Sequence, residues 1–168
     1  MDRTTLRARQ APLRELYTQD PAAAMTPLQA TADFREDGVT TTVDGFAGPV
    51  RAGLHRATGG SGNDACSGDL LLQALLACAG VTLRSVAIAM GLQVRSAQLR
   101  AEAAFDARGT LGLDRDVPVG VTPITVTAVV DCEADEETLD RLGRTTERYC
   151  VVGQSLATPP TVVVRRSR

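Results

Sequence analysis

SGDLLLQALLACAGVTLRSVAIAMG, residues 67–91, is the stretch that decides the fold. Ser67 can cap a helix here, and Asp69 stands in the first turn, where a carboxylate complements the positive end of the helix dipole. Leu70, Leu71, Leu72, Leu75, Leu76, Val81, Leu83, Val86 and Ile88 go almost all the way round that helix, which Gly91 closes. A helix apolar on every side needs protein on every side, and a chain of 168 residues has little left over to supply it. A second subunit can. The run approaches the ~20 residues that span a bilayer, but Gln73 and Arg84 inside it would be expensive in lipid, so it reads as a buried helix. At its centre sits a thiol, Cys78, where Leu or Ala would pack as well. A buried cysteine is usually a small inert hydrophobe, so its reactivity depends on what the rest of the chain brings to it.

Working back from this helix, the period of the pattern is two. "LQATADF" (28–34), "VTTTVDGF" (39–46) and "VRAGLHRA" (50–57) are separated by Asp37-Gly38 and Gly48-Pro49, which predicts an antiparallel meander of three strands. "TGGSGNDACSG" (58–68) is a loop by composition. Before the meander, Leu6, Leu13 and Leu16 lie among charges with Pro12 in their midst, which predicts short surface helical pieces. Residues 1–27 are therefore expected to be a helical extension and 28–168 the domain proper.

Forward of the helix, "LQVRSAQLRAEAAFD" (92–106) and "VTPITVTAVVDC" (121–132) read as two strands of a long hairpin, joined by the loop "GTLGLDRDVPVG" (109–120). Acidic "EADEET" opens a helix running to about Arg148, with arginines toward its far end as the macrodipole favours. Cys150 opens a short further turn, "CVVGQSLA", and "TVVVRR" is a last strand after Pro159-Pro160. The order of strands, central helix, two strands, helical pair and strand is an α+β arrangement.

Composition narrows the function. All eighteen basic residues are Arg, against twenty acidic ones, giving a formal charge of -2 with no long block of either sign. Neither nucleic acid nor a membrane surface is an expected partner. Without lysine, Schiff-base chemistry and a phosphate-loop lysine are excluded. "MDRTTLRARQAPLREL" has no uninterrupted apolar core of signal-peptide length, so a reducing cytoplasm is the expected location.

In that setting the four cysteines, Cys66, Cys78, Cys132 and Cys150, are structural, metal-binding or redox-active. They show no C-x-x-C spacing and only one histidine, His55, accompanies them, so neither a metal nor a cofactor is expected. Cys66 and Cys78 are roughly 18 Å apart along one helix, far beyond disulfide reach of about 7 Å. Cys132 ends a Val-rich strand and reads as core. His55 is either a base near a thiol or a surface residue, and Arg84 either a partner for an acid at a subunit seam or an exposed edge. Glu147 and Asp69 read as capping or solvated charges, or as groups that orient an arginine. Cys78 is too deep in its helix for that helix's own dipole to acidify it, so an arginine would have to do so.

"SGDLLLQALLACAGVTLRSVA" resembles the first-cysteine helix of the OsmC/Ohr family, the osmotically induced and organic-hydroperoxide-resistance proteins. "ERYCVVGQSL" resembles its second-cysteine helix, and the likeness extends over roughly residues 28–165. The resemblance implies an intertwined homodimer, with antiparallel sheets wrapped around central cysteine-bearing helices. It also implies thiol-dependent reduction of organic hydroperoxides, in which Cys78 attacks the peroxide, Cys150 resolves it, and an external dithiol completes the cycle. Family peroxidases usually carry a Glu ten residues before the first cysteine, paired with an Arg from an early hairpin. Here that position is Gly68, with Asp69 beside it, and the arginine best placed is Arg35, with Arg51 and Arg56 as competitors. The second motif commonly reads Cys-Pro, where this chain has Cys150-Val151. The other reading is a non-catalytic dimer that binds a small hydrophobic ligand in an interface pocket, favoured by the missing Glu.

Overall fold

Alternating Val, Thr and Ala between Thr125 and Asp131 put one row of small apolar side chains on one face of a strand. In the computed structural model, which describes residues 1–167, Val126, Ala128 and Val130 of that row are fully buried. This strand, β6 (Thr125–Asp131), is the middle of a three-stranded sheet. On one side β5 (Ser96–Glu102) pairs antiparallel with it, Ser96 opposite Asp131 and Glu102 opposite Thr125. On the other, β7 (Thr161–Arg166) pairs parallel, Thr161 beside Thr125.

Two helices cover the buried face. The long helix α2 (Ser67–Met90) contributes the stripe Leu75, Ala79, Leu83 and Ala87, spaced four apart. Gly91 closes it in the left-handed region, at φ 77°, as the sequence requires. Helix α4 (Glu136–Tyr149) contributes Leu139, Leu142, Gly143 and Thr146. Gly143 is there because β7 comes very close: a β-carbon at this position would lie 2.8 Å from the Val162 carbonyl oxygen. After α4 comes one further turn, α5 (Val151–Gln154), before β7.

The second sheet takes β1 (Thr31–Asp33), β2 (Thr40–Gly45), β3 (Gly48–Gly53) and β4 (Ala65–Cys66), in that order. The first three form the expected antiparallel meander, and β4 joins β3 in parallel. Both sheets are therefore mixed, although the sequence signals only antiparallel pairing, because parallel partners are joined by long connections that leave no local turn signature. Ala52 is the one buried residue of these four strands, and Phe34 beside them is 89% exposed. A single chain leaves this sheet almost without a core.

Three local expectations change. The N-terminal segment is one helix, α1 (Arg3–Gln19), rather than short pieces. Asp2 accepts the Thr5 N–H at 2.8 Å at one end, Asp20 N–H bonds to Leu16 O at the other, and Pro12 removes only one internal donor. Cys66, not Ser67, holds the cap position of α2, with an extended backbone and no hydrogen bond from its side chain. The strand expected over 92–106 ends at Glu102, and between it and β6 Asp106 accepts the Arg108 N–H at 3.0 Å and starts the short helix α3 (Ala107–Thr110), which runs into the expected loop.

Candidate active site

The helical path is interrupted between α4 and α5 at Cys150, whose backbone is extended at φ -76° and ψ 102°. Helix ends carry backbone groups with no intrahelical partner, and a break makes two such ends at once. Cys150 occupies the seam. Its sulfur is almost wholly buried and accepts the Gly153 N–H at 3.4 Å. Gly153 is confined in turn: a β-carbon there would stand 3.4 Å from the Cys150 sulfur and 3.3 Å from the Pro160 ring.

α5 packs against α2, and this brings the break onto Cys78, which is half-buried on the flank of α2. Burial alone would push the Cys78 thiol up. The Val152 N–H, the Cys150 thiol, the Thr82 hydroxyl and the Val151 N–H act against burial, and together they hold it below its ordinary value. Cys150 moves the other way: burial pushes it up, the Gly153 N–H opposes this, and the neighbouring Cys78 sulfur pushes it further up. Cys78 therefore loses its proton first, while Cys150 keeps one. Both thiols are free. One turn before Cys150, Thr146 is fully buried and its hydroxyl has no partner among the described residues.

The structure thus brings Cys78 and Cys150 together and leaves Arg35 elsewhere. Arg35 follows β1, where it is paired with Asp33 at 2.7 Å and with Asp44, all three side chains open to solvent. Arg51 is held by Glu36 and Asp64, and Arg56 lies in a turn at 56–58. Among the described residues of one chain, no arginine is among the groups that set the acidity of Cys78. The donors come instead from α5 and from Thr82, neither singled out from the sequence. Thr82 is four residues after Cys78 on one helix face, a spacing that could have found it.

The remaining candidates separate cleanly. Cys132 is core. His55 is exposed, accepts the Ala57 N–H on Nδ1 at 3.0 Å and meets the Phe105 ring edge-on at 5.4 Å. Glu147 Oε2 accepts the Val162 N–H at 3.3 Å, which ties α4 to β7. Asp69 is an exposed charge in the first turn of α2, and Arg84 is exposed. Cys66 lines an apolar hollow of about 240 Å³ with Leu54, Phe105 and Val121, next to one of about 400 Å³ lined by Phe34 and Val39. Gly68 also faces the smaller hollow.

Residues 60–165 match the family model described as OsmC-like protein. The chain belongs to the OsmC-like family. Solved structures with the same OsmC-like fold include an OsmC-like protein of unknown function from Vibrio cholerae, 13% identical, with a TM-score of 0.67, covering 85% of this chain and 100% of that one. Another is an organic hydroperoxide resistance protein from Elizabethkingia anophelis, 15% identical, TM-score 0.66, with coverage of 85% and 100%. The organic hydroperoxide resistance protein of Bacillus subtilis is 16% identical, TM-score 0.57, with coverage of 84% and 98%. At such identities the likeness is one of fold. No curated protein gives a significant sequence match.

Proposed function

We propose that this OsmC-like protein is a thiol-dependent peroxidase that reduces organic hydroperoxides as an intertwined homodimer. The observation that carries the reading is the packing of α5 on α2, which sets the buried Cys150 at the helix break beside Cys78; the surroundings then push the two thiols in opposite directions, Cys78 down and Cys150 up. A peroxidatic cysteine must be a thiolate, and its resolving partner must bring a proton and a sulfur within reach. The Cys78 thiolate attacks the terminal oxygen of the hydroperoxide. The S–O bond forms as the O–O bond breaks, and the alkoxide takes a proton to leave as the alcohol. Cys150 then attacks the sulfenic acid, forming the disulfide and releasing water. An external dithiol restores both thiols by exchange.

The dimer is supported by what one chain leaves uncovered. α2 buries one stripe while Val81 on another face is 73% exposed, and the β1–β4 sheet exposes Phe34 and Val39. Arg35, just after β1 of that uncovered sheet, is the candidate for a cation offered across the interface to the thiolate and the leaving alkoxide. The aliphatic neighbours of Cys78 favour alkyl and fatty hydroperoxides over hydrogen peroxide.

The test is a titration of free thiols before and after one equivalent of cumene hydroperoxide. The reading expects Cys78 and Cys150 both to become unreactive, and Cys78→Ser to abolish the change. Unchanged thiols in the native protein would sink it. The second reading, a carrier of small hydrophobic ligands, rests on the apolar hollows beside Cys66, and unchanged thiols with co-purified lipid would favour it.

A further inference from the structure

A continuous helix through Cys150 would direct the Val151 N–H to the Glu147 carbonyl and the Val152 N–H to that of Arg148, each four residues back. The break prevents this, and neither valine amide has a backbone acceptor among the described residues. Both stand at the start of α5, which packs against α2, the helix that carries Cys78, and both favour the charged form of its sulfur. The Glu147 carbonyl is thereby deprived of its helical donor. A side chain supplies the replacement: Gln154 Nε2 donates to Glu147 O at 2.9 Å.

We propose that Gln154 is a positioning residue for the reactive thiol. Standing in for the Val151 amide on the Glu147 carbonyl, it holds the α4–α5 break open and keeps the α5 amides turned onto the Cys78 sulfur. Without it, the Glu147 carbonyl competes with sulfur for the Val151 N–H, and α5 swings toward a continuous helix. The Glu147 carboxylate accepts the Val162 N–H and ties the same residue to β7. The inference rests on Cys78 being the reactive thiol of the proposed peroxidase, but it concerns the state of that thiol rather than turnover.

Gln154 is exposed, so Gln154→Met keeps length and loses the donor, while Gln154→Lys retains one. The assay is alkylation by iodoacetamide from pH 5 to 10, followed by mass spectrometry on the peptide that contains Cys78. Gln154→Met is expected to react about fivefold more slowly on the rising limb, somewhat under the effect of a full hydrogen bond to a charged group. Its profile should converge with the native one above the ordinary thiol pKa of about 8.5, and Gln154→Lys should lie near the native curve. A native profile for Gln154→Met, or a displacement by Gln154→Lys as large as that by Gln154→Met, overturns the proposal. If Gln154→Met is poorly folded, Gln154→Glu, which at neutral pH accepts and does not donate, must give the same displacement, and a native profile there overturns it equally. Because alkylation reads the thiol directly, a chain that reduced no peroxide would still pass or fail this test.

Discussion

Val151→Pro separates the amide account of Cys78 from any account that needs only an apolar wall. The substitution suits the backbone. Position 151 is the first residue of α5, where proline's fixed φ is compatible with a helix and the N–H it lacks has no helical partner. Cys150 before it is already extended, as a residue preceding proline prefers. What is lost is one donor to sulfur, the weakest of the four groups that lower the Cys78 thiol. A hydrogen bond contributes about 0.5–1.5 kcal/mol net, and the low end corresponds to about two- to threefold in thiolate population. Losing a donor to the charged form raises the thiol pKa. The expected result is alkylation of Cys78 about two- to threefold slower on the rising limb of the pH profile, with no difference once both proteins are fully ionised. The thermal midpoint should be nearly unchanged. A slowdown that persists at pH 10 would mean obstruction rather than lost acidity, and identical profiles would mean that the α5 amides do not act on this sulfur; either outcome refutes the reasoning.

The other expectations use the same scaffold. With Cys150→Ser, the first equivalent of hydroperoxide should still be consumed, but sulfenic acid should persist on Cys78 and be captured by dimedone as a mass adduct; rapid return of a free Cys78 thiol without added reductant would argue against Cys150 as resolving residue. Arg35→Ala removes only solvent-exposed ion pairs, so the melting temperature should stay close to that of the native protein. Peroxide turnover should fall at least tenfold, and unaltered turnover would remove Arg35 from the mechanism. Gly143→Ala puts a β-carbon 2.8 Å from the Val162 carbonyl oxygen. Overpacking of about 1–3 kcal/mol outweighs a helix-propensity gain of about 1 kcal/mol. A melting temperature lower by about 2–4 °C is expected by calorimetry, and a rise would show that β7 yields freely.

How far the sequence could be read follows from the range of each interaction. α2 was legible from its run of leucines to Gly91, and so was the β5–β6 hairpin, because helix caps and alternating strands are written within a few residues. The parallel places of β4 and β7 were not, since each depends on a partner across a long connection. That Cys78 and Cys150 are neighbours in the fold was legible only through the resemblance of two helices; spacing alone could not show contact. What was not legible is the set of donors within one chain that face Cys78. The dipole of α2 cannot act on a residue so far from its N-terminus, and from that correct premise an arginine was expected. Yet "ERYCVVGQSL" already contains the alternative. A helix that stops at Tyr149 and restarts at Val151 has backbone donors at the restart with no helical acceptor. Any group packed against that seam receives them, and α5 is packed against the turn of α2 that carries Cys78. A helix break beside a cysteine is therefore itself a candidate source of acidity. It differs from an arginine in one testable respect, because dipoles of fixed backbone amides are far less sensitive to added salt than an exposed guanidinium. If the acidity of Cys78 comes from α5, its alkylation profile should hold its position between low and high ionic strength. A profile that moves to higher pH as salt is added would hand that role back to a solvent-exposed cation.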